Sequence, residues 1–326
     1  MTEALPSSSP FPEGQRRIAV LGGTGFIGRA LCESLVARGD EVLAISRNAP
    51  AVPVAGRFHR FDLTGGSAAE LAALLRTERV DTVVNAAGGM WGLSDEQMVD
   101  ANVGLVRLVI DAVLQVGRLR LVHIGTVHEY GLAPIGQVQA EGDEPRPAMV
   151  YGELKLRATR MVLDAVAAGN LDAVVLRVGN VVGAGQPGHS LLGVMARKLA
   201  DAEAAGQPAN LTLAPLTAQR DFVGLDDTVE AVIAAIRAVN PPALANVGRG
   251  EGVSARRMVE LLIEASGVPT VVVEDPGPLG AGPETDWQCM DIALAGRSLG
   301  WVPRELPSAA VASLWKAESG QLRERP

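Results

Sequence analysis

The chain has 326 residues, 48% hydrophobic and 20% charged, with a formal net charge of −8; it is long enough for one large domain plus an elaboration and too apolar for a disordered protein. The acidic balance argues against nucleic acid or an anionic membrane surface as the main partner. Two cysteines, Cys32 and Cys289, stand in no metal or redox spacing, which fits packing residues of a reduced, cytoplasmic protein.

Residues 1–16, rich in Ser and Pro, read as a flexible tail, with prolines where an export signal needs a continuous apolar run. No apolar run reaches the roughly 20 residues of a membrane helix. From Arg17 the pattern changes. "IAVL" is a short apolar run closed by glycines, and "FIGRALCESLVARG" carries Phe26, Ile27, Ala30, Leu31, Leu35 and Val36 near helical spacing before stopping at Gly39. The strand–turn–helix unit recurs through "EVLAIS", "RFHRFDL" with "SAAELAALLRTE", "DTVVNAAG" with "SDEQMVDANVGLVRLVIDAVLQVG", "LRLVHIGT", and the strand "LDAVVLRVGN". Nearly all-apolar strands alternating with helices predict an α/β fold, a Rossmann-type doubly wound parallel sheet covered on both faces. Residues 17–179 are expected to form this dinucleotide-binding domain. Residues 180–326, looser and richer in Gly and Pro, are expected to form mainly a smaller C-terminal α/β substrate domain, with part of the chain returning to the large sheet.

Within this frame "VLGGTGFIG" sets Gly22, Gly25 and Gly28 between the first strand and first helix. Glycines there permit a tight turn and let backbone N–H groups approach a pyrophosphate at a helix N-terminus. A glycine triplet alone is more often a plain turn, and the βαβ context reverses that weighting. After the second strand the chain reads "AISRNAP": Ser46 stands where an acidic residue would hold the ribose of NAD, and Arg47 offers a forked cation for a 2′-phosphate. That pairing favours NADP(H) over NAD(H). In "MVYGELK", Tyr151 and Lys155 lie one helical turn apart, so the ammonium is expected to lower the phenol's pKa and tune it for proton transfer. A Tyr–Lys pair on a helix is usually a solvated face; Thr126, ending the fifth strand in "HIGTVHEYG", supplies a third group where a parallel sheet presents its ligand-facing residues.

Taken in order, "GGTGFIG", Asp62–Leu63, "NAAG", "DANVGLVRLV", "IGTVHEYG", "VYGELK", "LRVGNVVGAGQ", "RDFVGLDD" and "DIALAGRSLGWVP" resemble the extended short-chain dehydrogenase/reductases, the epimerase/dehydratase group, over nearly the whole chain from residue 17. The resemblance implies that Gly22, Gly25, Phe26, Ile27 and Gly28 line the cofactor pyrophosphate. It places Ser46, Arg47 and Asn48 at the adenosine phosphate, Asp62 and Leu63 at the adenine, and Ala86, Ala87 and Gly88 beneath the ribose, with Val178 completing the set. Asn102 matches a helix asparagine of mainly structural role. Thr126, Tyr151 and Lys155 become the catalytic set: Thr126 bonds the reacting oxygen, Tyr151 exchanges the proton, and Lys155 also holds the nicotinamide ribose. Asn180 and Arg220 resemble positions that hold a sugar nucleotide, Arg220 at its diphosphate.

The dehydratases of this group carry Asp-Glu directly after the catalytic threonine, whereas this chain has Val127 and His128. Dehydration is therefore disfavoured, and Glu129 is expected as a wall or substrate-hydroxyl contact. "GTVHEYG" is similar to a motif of reductases acting on 4-keto-6-deoxy nucleotide sugars, so the reading is an NADPH-dependent 4-ketoreductase. A nucleotide-sugar epimerase and a reductase of a non-nucleotide ketone remain alternatives. Two departures stand out: Gly224 and Leu225 replace a histidine common in "RDF-x-H", and a second diphosphate arginine is missing near "GPETDWQCMD". Met90, Trp91, His128 and His189 lie in expected substrate loops. No metal site is expected, and the resemblance suggests a homodimer.

Overall fold

The computed structural model describes residues 15–275 and 286–323; the side chains of 321–323, residues 1–14 of the expected tail and the segment 276–285, with the "GPET" that opens "GPETDWQCMD", lie outside the described residues. Residues 15 and 16, assigned to the tail, are tied down: Gln15 donates to the Gly39 carbonyl and the Arg16 amide to Asp40.

Seven strands form one parallel sheet in the order β3 (Arg57–Arg60), β2 (Glu41–Ser46), β1 (Arg17–Leu21), β4 (Thr82–Asn85), β5 (Arg120–Thr126), β6 (Asp172–Val178), β10 (Leu244–Val247). The order reverses between β1 and β4, opening a crevice at the carboxyl ends of the strands where ligands of such sheets bind. The central strands are buried on both faces, which accounts for their continuous apolar character. One face packs α1 (Phe26–Ala37) and α7 (Leu225–Arg237), through Leu31, Leu35, Val229 and Ile233. The other packs α2 (Ala68–Thr77), α4 (Leu105–Val116) and α5 (Val150–Ala167), through Leu71, Leu75, Val109 and Val162.

The run "SDEQMVDANVGLVRLVIDAVLQVG" is not one regular helix. A short α3 (Asp95–Val99) passes through a π-helical turn, Asp100–Gly104, before α4. Asn102 sits in that turn and donates to the carbonyls of Gly89 (2.6 Å) and Met98 (2.8 Å). The extra residue in the turn aims the amide at the loop after β4, the usual role of such a bulge near a site.

The C-terminal part supplies a three-stranded sheet of β7 (Asn180–Val182), β9 (Gln219–Gly224) and β11 (Gly252–Ser254), and a parallel pair, β8 (Ala209–Leu213) and β12 (Thr270–Glu274). Their core is Leu192, Leu199, Leu211, Met258, Leu262 and Val311, where α6 (Leu191–Ala205), α8 (Ala255–Ser266) and α10 (Pro307–Arg323) meet. A short α9 (Ala293–Leu299) packs beside β10. Among the described residues no helix is long and apolar enough to cross a membrane.

Candidate active site

The turn between β1 and α1 is built by glycine where nothing larger fits. A Cβ on Gly28 would stand 2.2 Å from the Gly22 carbonyl oxygen, and Gly22 has φ +77° with the Ala86–Ala87 backbone within 2.9 Å. Gly25 is the N-cap of α1 and no side chain bonds the first amides of that helix, so those amides remain available to an anion. A cleft of about 380 Å³ opens above this turn, and Gly22, Gly25, Ser46, Arg47, Asn48, Asp62, Leu63, Ala86, Ala87 and Gly88 all line it. Backbone donors at one end and an exposed arginine at the other suit an anionic dinucleotide. Phe26, Ile27 and Gly28 form the first turn of α1 behind it, Val178 is buried at the end of β6, and Asn102 fixes the loop after Gly88 rather than lining the cleft.

At the outer rim the side chains are partly committed. Ser46 donates to the Asn48 carbonyl at 2.7 Å, leaving its hydroxyl in the turn. Asp62 accepts from the amide and hydroxyl of Thr64, which hold its carboxyl below its ordinary range, with Arg47 adding to the effect. Arg60, which the sequence reading passed over, donates to the Arg47 carbonyl at 3.1 Å and so puts a second cation at this edge. Its position two residues before Asp62 at the end of β3 was the available signal.

The proposed catalytic residues come from two elements. Thr126 ends β5, and its hydroxyl oxygen accepts the His128 amide at 3.3 Å. Tyr151 lies in the first turn of α5 with Lys155 one turn on. Lys155 is buried and donates to the Ile124 carbonyl at 2.7 Å, and burial brings its ammonium down to about 8. The expectation that Lys155 depresses the phenol is corrected here. Burial pushes Tyr151 up to about 12, and the Glu129 carboxylate acts in the same direction. The phenol is therefore protonated at neutral pH, the state of a proton donor.

The expected substrate residues do not converge on one place. His128 and Arg220 line a cleft of about 300 Å³ with Met149, Asp286 and Gln288. The His128 ring stands edge-on to Tyr151, centroids 6.2 Å apart, and burial, with Arg220 nearby, brings its pKa down to about 4, so it is neutral. Arg220 is paired with Asp286 and also bonds that residue's carbonyl, so any anion reaching it competes with a carboxylate. Asn180 donates to the Asp221 carbonyl at 3.3 Å. Met90 and Trp91 belong to a different cleft, about 480 Å³, which shares Arg47 and Gly88 with the cofactor cleft; there Trp91 faces His189 at 5.2 Å between ring centroids.

Glu129 is a clear departure from the sequence reading. It is 0% exposed, and both its oxygens are occupied by protein groups, so it is no wall of a substrate site. The glycine at 224 has a similar explanation. A Cβ there would meet the Glu305 carboxylate at 1.9 Å, so an acid from a distant loop occupies the space of a side chain. Burial, with Asp226 and Asp227 adjoining, pushes Glu305 up to about 7. Among the described residues no group of His, Cys, Asp and Glu could hold a metal ion.

Comparison with known proteins agrees with this construction. The family described as NAD dependent epimerase/dehydratase matches residues 18–248. A dTDP-6-deoxy-L-talose 4-dehydrogenase (NAD(P)(+)) of Kitasatospora kifunensis is 60% identical over 304 residues, 93% of this chain and 96% of its own length. A UDP-glucose 4-epimerase of Streptomyces lividans is 28% identical, covering 92% of this chain and 95% of its own. Among solved structures, a Thermus thermophilus UDP-glucose 4-epimerase in complex with NAD superposes with a TM-score of 0.79 at 26% identity, covering 93% of this chain and 99% of that one. With the glycine cradle, the crevice at the β1/β4 switch and the Tyr–Lys helix all within the matched residues 18–248, the chain belongs to the NAD dependent epimerase/dehydratase family.

Proposed function

We propose that the protein interconverts a ketone and an alcohol at C4 of a nucleotide-linked 6-deoxyhexose, with NADP(H) as redox partner, running as a 4-ketoreductase when the reduced cofactor is in supply. The observation that carries this reading is Tyr151 in the first turn of α5, half-buried and edge-on to the His128 ring, whose amide is held by Thr126 at the carboxyl end of β5. The name of the relative at 60% identity, a dTDP-6-deoxy-L-talose 4-dehydrogenase, describes oxidation at the same carbon, and oxidation and reduction are one reaction read in two directions.

Bound in the cleft, the cofactor supplies or accepts hydride. Thr126 donates a hydrogen bond to the sugar oxygen as negative charge develops on it. Tyr151 then gives its proton to that oxygen; a phenol near 12 remains acidic towards an alkoxide, whose conjugate alcohol titrates several pH units higher. Lys155, anchored on the Ile124 carbonyl, adds positive charge behind the phenol. Arg47 at the adenosine end, with Arg60 against its carbonyl, supports NADP(H) over NAD(H). A homodimer through helices of the large sheet belongs to the same proposal; light scattering should give twice the chain mass, and a monomeric mass rejects it.

A second reading, a C4 epimerase that retains its cofactor, is favoured by the NAD-complexed epimerases among the structural relatives. The two separate on absorbance at 340 nm. Purified protein with a dTDP-4-keto-6-deoxyhexose should consume NADPH stoichiometrically and faster than NADH. No consumption of either cofactor with the ketosugar, together with conversion of the corresponding C4 alcohol to its epimer, sinks the ketoreductase reading.

A further inference from the structure

Glu129 is a buried charge that the proposed reaction does not use, and its surroundings are unusually well defined. It ends the short 3-10 turn Val127–Glu129 that follows β5. One oxygen, Oε1, accepts from the Thr126 amide (3.0 Å) and the Thr159 hydroxyl (3.0 Å). The other, Oε2, accepts from Arg177 Nε at 2.8 Å. Thr159 follows Tyr151 and Lys155 at four-residue steps, so all three lie along one face of α5. That face is fastened once to β5, by Lys155 on the Ile124 carbonyl, and once to the turn after it, by Thr159 on Glu129.

The surrounding sequence is shaped to this carboxylate. A Cβ on Gly125 would stand 2.6 Å from Oε1, so the glycine before Thr126 makes room for it. Arg177, on β6, lies over the Tyr130 ring at 4.4 Å, and Tyr130 in turn donates to Asn246 on β10 at 2.9 Å. The second tyrosine of the chain is thus a support of the arginine that supports the glutamate.

We propose that Glu129 is a positioning residue for proton transfer: its carboxylate, locked by Arg177, clamps Thr126 to the catalytic face of α5 and sets a fixed negative charge beneath Tyr151 and Lys155. This rests on the reading of Thr126, Tyr151 and Lys155 as the catalytic set. The charge has two consequences. It opposes the burial that would otherwise strip Lys155 of its proton, and it adds to the burial that keeps Tyr151 protonated. The other ionisable groups around it are Arg177 on β6, Tyr130 and His128 flanking Glu129 itself, and His123 on β5, where burial and Lys155 hold the imidazole neutral. The next carboxylate, Glu141, acts on Tyr130 and accepts the Asn246 amide at 2.8 Å.

The test is Glu129→Gln in the full chain. A glutamine has one acceptor oxygen and a donor NH₂, so it cannot receive both the Thr126 amide and Arg177. The chain has three lysines, Lys155, Lys198 and Lys316, so ¹³Cε-lysine labelling gives three resonances, with Lys155 assigned by Lys155→Arg. Its midpoint, about 8 in the wild type, lies where circular dichroism stays native and should move down by about 0.5–1 pH unit. With the sugar, kcat should fall about tenfold or more with KM little changed. An unshifted Lys155 midpoint in the folded variant overturns the proposal. Should Glu129→Gln not fold, Thr159→Val decides: it removes one donor and leaves the carboxylate less neutralised, so the Lys155 midpoint should move up, and a midpoint that stays put overturns the proposal. The titration needs no substrate, so it stands even where wild-type protein turns over no ketosugar.

Discussion

The cofactor cleft and the substrate side of the crevice are made in different ways. The cleft is floored by backbone and small residues, Gly22, Gly25, Ala86, Ala87 and Gly88, over a turn that Gly28 lets close because a Cβ there would meet the Gly22 carbonyl. On the other side of the crevice, side chains meet from distant positions: Arg220 with Asp286 in the cleft beside His128, and, buried behind it, Glu129 with Arg177. A site made of backbone depends on a few contiguous residues and tolerates little change. A site made of paired side chains can be retuned one pair at a time, which suits a family whose members share a cofactor and differ in substrate.

The largest effect expected on either side is that of Tyr151→Phe, which removes the transferable proton and leaves the ring. Turnover should fall by about 10²–10⁴-fold, while NADPH affinity, read by fluorescence titration, stays within about threefold because the cleft is untouched. Next comes Gly28→Ala. The added methyl meets the Gly22 carbonyl at 2.2 Å, so the turn must open, and cofactor affinity should fall about 10–100-fold with the thermal midpoint lowered as well; an unchanged affinity would show that the cradle is looser than its geometry.

Arg47→Ala sharpens the contrast within the cleft. It should weaken NADPH by about tenfold, the loss of one charge-assisted bond, and leave NADH nearly unchanged. Equal losses for both cofactors would remove the argument for NADP. The smallest effect lies at Glu305. Its carboxyl is raised from 4.5 to about 7 in the folded protein, so its contribution to stability is fully present below 4.5 and is lost as pH rises through 7. The thermal midpoint of wild type should therefore decline more than that of Glu305→Gln between pH 5 and 8, and parallel curves would contradict this.

Much of the cofactor half was legible in the sequence, because its signals are local. The "GGTGFIG" turn, Arg47 after β2 and "NAAG" after β4 each place chemistry at a strand end fixed by the alternation of apolar runs and helices. Tyr151, Lys155 and Thr126 could be read for the same reason. What escaped were pairings across long separations. Nothing near Glu129 in the sequence announces Arg177, 48 residues on, and without that partner an acidic residue three places after Thr126 reads as a substrate contact. The same holds for Gly224, whose neighbour Glu305 arrives from the loop before α10. The tuning of Tyr151 was misread for a related reason: one-turn spacing brings Lys155 close, and only the fold shows how deeply both are buried and that Glu129 lies beneath them.

The direction of proton transfer also follows from burial. With the phenol near 12, reduction finds its donor in the required state throughout the physiological range, whereas oxidation of the alcohol needs the phenolate and should accelerate as pH rises from 6 towards 8, above which Lys155 loses the charge that supports it. A flat profile for oxidation would place the proton acceptor elsewhere.

The most direct test of the central claim follows the hydride itself. Purified protein is given a dTDP-4-keto-6-deoxyhexose and NADPH deuterated at the nicotinamide C4, in each of its two stereochemical forms, and the released sugar is examined by NMR. We predict one deuterium at sugar C4 from one of the two forms, in amount equal to the NADPH consumed, and none with Tyr151→Phe. Recovery of the unreduced ketosugar with both forms, while the corresponding C4 alcohol is converted to its C4 epimer without net change of cofactor, would contradict the account and assign the protein to epimerisation with a retained cofactor.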